Sequence, residues 1–153
     1  MNRLSSRGFS LVELAVTLVV LGLVLAFSIP AYQSMNTSQQ LKGATENIAS
    51  QLRMMREVAI GTNTTQTMHF FYASMGGDYH IHNAGVVGAV WSLPRNIVYS
   101  WDSGTQAIMS ATSDGRMYGA GNPATAPGMI ILIDNKLRRD TVSVLTSGLI
   151  LVK

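Results

Sequence analysis

The stretch that decides the fold is FSLVELAVTLVVLGLVLAFSIPA, residues Phe9–Ala31, in which Glu13 is the only charged residue. A helix rises about 1.5 Å per residue, so roughly 22 of these residues extend about 33 Å, enough to cross a hydrocarbon core of about 30 Å. Arg3 and Arg7 precede the stretch, and the next charge after it is Lys42. The positive-inside rule therefore places the N-terminus in the cytoplasm and the rest of the chain across the membrane.

The carboxylate of Glu13 is unexpected in this apolar stretch, because a charge at the centre of a membrane helix costs roughly 2.5–3.5 kcal/mol. The cost is lower near a helix end, and Ser10-Leu11-Val12-Glu13 fits the S-x-x-E capping box, which predicts a helix start at this point. Two simpler interpretations are a plain membrane anchor and a secretory signal peptide cleaved at Ala26-Phe27-Ser28. Neither of them explains the glutamate.

The segment Arg7-Gly8-Phe9-Ser10-Leu11-Val12-Glu13-Leu14 closely resembles the cleavage and methylation motif of type IV prepilins. The resemblance implies that a prepilin peptidase cuts after Gly8 and methylates the new amine of Phe9, so that residues 1–8 form the leader. It also implies that Glu13 neutralises the amine of a neighbouring subunit's Phe9 in a filament. Opposite charges attract strongly in a low dielectric, and each alone is costly there, so the pairing favours correct axial register.

Two potential helix breakers, Gly22 and Pro30, also match the helix of this family. Proline removes one backbone hydrogen bond and kinks a helix, and glycine weakens it by about 1 kcal/mol relative to alanine. The resemblance suggests that the segment between them bends or melts on assembly. The alternative is two breakers that a membrane helix tolerates.

The chain after Pro30 has the pattern of an amphipathic helix. Its apolar residues recur at spacings of three and four, along one helix face. They are Leu41, Ala44, Ile48, Leu52, Met55 and Ala59. Gly61 follows where a glycine cap is expected. The pattern predicts one helix from about Phe9 to Ile60, with residues 9–31 in lipid or a filament core and residues 32–61 packed on a sheet.

From Thr62 onward the apolar period changes to two, which indicates β-strands. The predicted strands are Thr65–Tyr72, Asp78–His82, Val86–Trp91, Asn96–Trp101, Thr105–Met109, Arg116–Tyr118, Met129–Ile133, Thr141–Leu145 and Leu149–Val152. Ser74-Met75-Gly76-Gly77 is predicted to join the first two as a hairpin. The fold class is therefore α+β: a long N-terminal transmembrane and amphipathic α-helix packed on a C-terminal antiparallel β domain, residues 62–153, as in pilins.

Several features of this domain look like the GspH/FimT-like subgroup of minor pilins and pseudopilins. They are the helix end at residues 52–60, the Asp114-Gly115-Arg116 turn, and the final strands with Gly148. The chain has no cysteine, whereas major type IV pilins usually close a C-terminal loop with a disulfide. The resemblance therefore favours a minor pilin or a pseudopilin.

The three histidines, His69, His80 and His82, are the only candidates for a metal site. A hairpin register that pairs His69 with His82 would bring all three together, and three imidazoles can bind zinc or copper. The sequence favours a polar sheet face that uses histidine incidentally, and no metal or other cofactor is predicted.

The basic cluster Lys136, Arg138 and Arg139 is the possible DNA contact. Some FimT-like minor pilins bind DNA through an arginine-containing C-terminal motif that begins with glycine, but the matching segment from Gly148 to Lys153 contains no arginine. Neighbouring strand residues also point to opposite faces, so the two arginines need not converge. A solvated turn is favoured, and nucleic acid is not predicted as a partner.

Composition narrows the function further. Charged residues are 12% of the chain, about half of the usual 25%. The lack of cysteine excludes disulfide scaffolds, cysteine zinc sites and thiol catalysis. No catalytic triad or phosphate-binding loop stands out, so the chain is not predicted to be an enzyme.

The expected function is therefore structural. The resemblance implies a membrane-inserted minor pilin or pseudopilin that assembles into a type IV pilus or a type II secretion pseudopilus and so serves protein transport or pilus assembly. Its expected partners are the prepilin peptidase, other pilin subunits and the inner membrane. It would cross the bacterial inner membrane once, with a periplasmic C-terminal domain. The alternatives are a DNA-binding minor pilin for DNA uptake and a metal-binding secreted domain.

Overall fold

A single long helix, α1, opens the fold and runs over Leu11–Thr62. The computed structural model describes residues 10–70, 79–83, 86–100, 108–119 and 128–153. The chain divides into two units, Met1–Asn36 and Thr37–Lys153. Helix α1 contributes residues to both units.

The apolar stripe predicted on the amphipathic part of α1, from Leu41 to Ala59, is buried. All six predicted positions are buried, as are three residues beside them. Those three are Thr37, Thr45 and Ala49. Burying one leucine or isoleucine side chain stabilises the fold by about 1.5–3 kcal/mol, so the stripe is a principal source of stability in the second unit.

Helix α1 ends at Thr62, two residues later than predicted, and the cap is a different residue. Gly61 lies within the helix, whereas Asn63 has a φ of 53°. The Asn63 amide donates to the Ile60 carbonyl at 3.3 Å, and the Thr64 amide donates to the Ala59 carbonyl at 3.2 Å. This pair of bonds is a Schellman motif, with asparagine in the left-handed position that it tolerates better than most non-glycine residues.

Nine strands follow the helix in the part of the chain that the structure describes. They are β1 (Gln66–Phe70), β2 (Tyr79–Asn83), β3 (Val86–Trp91), β4 (Ile97–Tyr99), β5 (Ile108–Ala111), β6 (Met117–Gly119), β7 (Gly128–Asp134), β8 (Arg139–Val144) and β9 (Ile150–Val152). They form a five-stranded sheet in the order β3-β2-β1-β5-β6 and a four-stranded sheet in the order β4-β7-β8-β9, with antiparallel pairing.

The predicted strands agree with the observed ones in number and position, with shifts at their ends. Among the described residues, β4 ends at Tyr99, before the predicted Trp101, β5 ends at Ala111 rather than Met109, and β8 begins at Arg139 rather than Thr141. The predicted Ser74–Gly77 turn lies outside the described residues, as do residues 71, 72, 78, 101 and 105–107 of the predicted strands. One long helix followed by antiparallel sheets confirms the predicted α+β fold.

Both sheets contribute to one hydrophobic core with the buried stripe of α1. From the five-stranded sheet come Met68, Phe70, Tyr79, Met109 and Met117. From the four-stranded sheet come Ile97, Tyr99, Ile130, Leu132, Val142, Val144 and Ile150. Every second residue of β1 is buried, as the period of two requires.

Arg56 hydrogen-bonds one hairpin turn and lies close to a second. Its Nε donates to the Gly115 carbonyl oxygen at 2.8 Å. Gly115 and Gly148 both have a φ of 81°, in the left-handed region that favours glycine. A Cβ at Gly148 would overlap Arg56 Nε and the Gly115 oxygen and lie 2.9 Å from Arg56 Cζ. Glycine is therefore required at residue 148 both by its backbone angle and by this close approach.

Candidate functional site

The head of α1 carries the capping box that the sequence predicts. The Ser10 amide donates to Glu13 Oε2 at 3.1 Å, and the Glu13 amide donates to Ser10 Oγ at 3.1 Å. The Leu14 amide donates to the Ser10 carbonyl at 3.2 Å. Two backbone donors that a helix start leaves unpaired are thus satisfied by side chains, and the carboxylate lies at the positive end of the helix dipole.

Glu13 lies at the head of a continuous exposed apolar surface. The exposed large apolar side chains of this segment are Leu11, Val12, Leu14, Val16, Leu18, Val19, Val20, Leu21, Leu23, Val24, Leu25, Phe27, Ile29, Tyr32 and Met35. A window of α1 with mean hydropathy 2.5 is long and apolar enough to cross a membrane. Such a surface is stable only when lipid or protein covers it. The predicted cleavage site Gly8-Phe9 lies outside the described residues.

Gly22 and Pro30 lie inside α1, which continues through both. Nothing lies within 4 Å of the position that a Cβ at Gly22 would take. Pro30 has no N–H to donate to the carbonyl of Ala26, so that carbonyl lacks its usual helical partner. The bending or melting of the segment between Gly22 and Pro30 stays a prediction.

The three histidines meet on one face of the five-stranded sheet, opposite the face of Met68 and Phe70. His69 pairs directly with His80, and His82 is two residues further along β2. The observed register differs by two residues from the pairing of His69 with His82 that was considered as a way to bring the three together. A shift of two residues in strand register leaves every side chain on the same face of the sheet, so the three histidines still lie together.

The imidazole nitrogens of this cluster are close together. His80 Nε2 and His82 Nε2 are 2.8 Å apart. One ligand nitrogen from each of His69, His80 and His82 can be chosen so that all three lie within 4.8 Å of one another. The ring centroids are 4.4 Å apart for His69 and His82 and 5.4 Å apart for His69 and His80.

The surroundings of the cluster favour neutral imidazoles. Burial lowers the pKa of His69, and the nearby His82 and His80 lower it further. Burial and then His82 lower the pKa of His80 below its ordinary value of 6.5. Both side chains are therefore neutral at neutral pH, which is the form that binds metals.

A β-bulge on the edge strand β3 flanks the histidines. His80 pairs with Val90 and His82 with Val87, so two residues of β3 oppose Ile81 alone. Gly88 lies in the bulge, where a Cβ would be 3.1 Å from the Ile81 carbonyl oxygen. The extra residue keeps both valines on the histidine face, which an unbroken strand could not do.

The basic turn between β7 and β8 is built around an ion pair. Arg138 Nε donates to Asp134 Oδ2 at 2.6 Å, and Asp134 Oδ1 accepts from the amides of Lys136 and Arg138 at 2.8 Å and 2.9 Å. The Asp134 side chain is inaccessible to solvent. Burial alone would raise its pKa, but the hydrogen bonds and the charge of Arg138 outweigh burial, and the pKa is lowered. Of the possible DNA contacts, Arg138 is thus held by Asp134, while Lys136 and Arg139 are exposed.

Comparison with known proteins agrees with this geometry. The prokaryotic N-terminal methylation motif matches residues 3–29, which include Gly8, Phe9, Glu13 and Gly22. In two crystal forms, the type IV minor pilin FimU of Pseudomonas aeruginosa has a similar fold. The chain carries this motif and has a pilin-like fold.

The likeness to FimU extends over most of both chains. For one crystal form the TM-score is 0.58 at 14% identity, over 76% of this chain and 90% of FimU. For the other the TM-score is 0.55 at 15% identity, over 74% and 92%. No curated protein sequence matches the chain. The motif match covers the N-terminal segment, and the likeness to FimU shows the fold.

Sequence reasoning missed two side chains that shape this pilin-like domain. The guanidinium of Arg56 hydrogen-bonds the Gly115 carbonyl oxygen and lies against Gly148. The carboxylate of Asp134 accepts hydrogen bonds from both Lys136 and Arg138. An Asp followed four residues later by an Arg across a short hairpin turn is the local sequence signal for the ion pair of Asp134 with Arg138.

Proposed function

We propose that the chain is a minor pilin or pseudopilin subunit that is processed at Gly8-Phe9, stored in the bacterial inner membrane and assembled into a filament. The filament is a type IV pilus or a type II secretion pseudopilus. The domain from Thr37 onward is periplasmic before assembly. Residues 1–8 are the leader, residues 9–31 the membrane and filament-core segment, residues 32–61 the amphipathic segment, and residues 62–153 the β domain.

The observation that carries the proposal is the combination of Glu13 with the apolar surface behind it. A carboxylate that leads an uncovered apolar helix can cap that helix while the subunit is in the membrane. When the helix enters a filament core, the carboxylate loses its water and needs a positive charge, because an unpaired ion in a low dielectric is very costly. The methylated amine of a neighbouring Phe9 supplies that charge, so the pair selects one axial position.

Processing is tested first, by N-terminal sequencing and mass measurement of the protein purified from membranes. We expect a mature chain that begins at Phe9 and carries one added methyl group. A chain that begins at Ile29 would identify an ordinary signal peptide and would contradict the proposal.

Assembly is tested with two matched variants that separate charge from capping. Glu13→Gln keeps an oxygen that can accept from the Ser10 amide, since glutamine also completes a capping box, but it removes the charge. Ser10→Ala removes the hydroxyl cap and keeps the charge, at a cost of about 0.5–2 kcal/mol of helix stability. Both variants are expected to be processed at Gly8-Phe9.

The measured quantity is the amount of subunit that co-purifies with sheared filaments, relative to the amount in the membrane. We expect Glu13→Gln to reduce this ratio at least tenfold and Ser10→Ala to leave it within about twofold. Wild-type incorporation of Glu13→Gln would show that the carboxylate serves only as a cap and would remove the main support for the proposal.

A further inference from the structure

We propose that His69, His80 and His82 bind one borderline transition-metal ion, with zinc as the ion and one coordination position left for water. The site lies on β1 and β2, away from the apolar helix on which the assembly role depends. The proposal adds a ligand to the β domain and is independent of the filament role.

The topology supplies three ligands from only two strands. Directly opposed residues of an antiparallel pair have Cβ atoms about 4.5–5.5 Å apart, and a residue two positions along the strand points to the same face. His69 and His80 are such a pair, and His82 is the residue two positions along. No long-range folding event beyond this pairing is needed to form the cluster.

The spacing of the ligand atoms fits a metal centre. Two nitrogens bound to one zinc at about 2.0–2.1 Å in tetrahedral geometry are about 3.3 Å apart. The nitrogens of the three histidines include a 2.8 Å pair and a set within 4.8 Å. These separations lie on either side of the 3.3 Å spacing, so side-chain rotations have to adjust them when one ion is bound.

The short contact between His80 and His82 also favours a metal. Two imidazole nitrogens at 2.8 Å need a proton between them, and a metal ion can replace that proton by binding both. His80 is 1% exposed, whereas His69 and His82 are half-buried, so the open position would face solvent on the side of these two.

The donor set identifies the class of ion. Within the described residues the cluster contains three imidazoles and no carboxylate, and the whole chain has no cysteine. Imidazole suits zinc, copper and nickel, whereas magnesium and calcium prefer oxygen ligands. Three histidines with one open position are the ligand set of a zinc site that keeps a water.

The test uses the untagged full chain in detergent, treated with a chelator and then titrated with Zn²⁺ by isothermal titration calorimetry. We expect one zinc per chain with a dissociation constant in the micromolar range or below, and no heat with Mg²⁺. Bound zinc should raise the thermal midpoint of the β domain by roughly 5–10 °C at a hundredfold excess over the dissociation constant. Replacing Zn²⁺ with Co²⁺ should give the visible absorption bands of a four-coordinate cobalt centre.

Single variants distinguish the loss of a metal ligand from a general effect of substitution on this face of the sheet. His69→Gln and His82→Gln change half-buried residues and should each lower zinc affinity at least a hundredfold while the fluorescence of the folded domain is retained. Val90→Thr, directly opposite His80 on β3, is the matched control and should bind zinc like the wild type.

Three results would overturn the proposal. They are a stoichiometry below one zinc per chain at 100 μM Zn²⁺, wild-type affinity in both histidine variants, or an equal loss in the Val90→Thr control. His80 is not used as the main variant because its burial makes loss of folding a competing cause of lost binding.

Discussion

The close approach of Gly148 to Arg56 leads to a quantitative prediction for Gly148→Ala. Alanine in the left-handed region costs roughly 1–2 kcal/mol. Its Cβ would also overlap Arg56 Nε and the Gly115 carbonyl oxygen, so the hydrogen bond between them must break. A hydrogen bond to a charged group contributes about 1.5–3 kcal/mol. The substitution should therefore destabilise the β domain by about 2.5–5 kcal/mol, a large share of the 5–15 kcal/mol that a domain has.

The assay is thermal unfolding of the full chain in detergent, followed by tryptophan fluorescence. Trp91 is a suitable probe because its ring stacks on the buried Tyr79, with centroids 5.5 Å apart. For a domain of this size the expected loss lowers the thermal midpoint by roughly 10–20 °C. Gly43→Ala is the matched control, since its Cβ would have nothing within 4 Å. It should stabilise α1 by about 0.5–1 kcal/mol.

A double-mutant cycle with Arg56→Ala tests the assigned cause. If the overlap with the guanidinium is responsible, Gly148→Ala should cost at least 1 kcal/mol less in the Arg56→Ala background than in the wild type. A midpoint for Gly148→Ala within about 3 °C of the wild type would refute the geometry. Strict additivity in the cycle would refute the role of Arg56.

Two further predictions concern the turn between β7 and β8. The lowered pKa of Asp134 means that its carboxylate stabilises the fold above its ordinary pKa of 3.8, and that this stabilisation is lost as the pH falls below 3.8. The thermal midpoint of the wild type should therefore fall more between pH 5 and pH 2.5 than the midpoint of Asp134→Asn. Parallel curves for the two proteins would contradict the ion pair. For DNA, a chain of formal charge +3 whose Arg138 is held by Asp134 should give no electrophoretic shift at physiological salt. A shift that fades with added salt and is lost in Lys136→Ala with Arg139→Ala would instead favour DNA uptake.

The helix was predictable because its signals are local. The apolar stripe repeats with the helical period over nearly twenty residues, and all six of its positions are buried. The capping box needs only Ser10 and Glu13, and both of its hydrogen bonds form. The helix end was misplaced because Gly61 and Asn63 are both plausible caps, and asparagine took the left-handed position.

The strands were predictable as elements but not in their pairing. Alternation of apolar and polar residues reveals a strand, whereas register depends on the connection and on tertiary packing. His69 therefore faces His80 rather than His82. The role of Arg56 was not predictable, because its partners at Gly115 and Gly148 come from two turns far along the chain. A contact between a helix guanidinium and turns far along the chain produces no periodic pattern in the sequence.

The distribution of buried residues predicts that substitutions in two parts of the chain affect different properties of this protein. Within the described residues, no side chain before Thr37 is buried, whereas the hydrophobic core lies wholly between Leu41 and Ile150. Residues from Leu11 to Met35 are not members of that core, so substitutions there should alter membrane retention or filament entry while the β domain keeps its thermal midpoint. Substitutions at the core, at Gly148 or at the histidines should change that midpoint first. A variant such as Glu13→Gln that lowered both quantities together would mean that folding of the β domain and placement of the helix are energetically coupled.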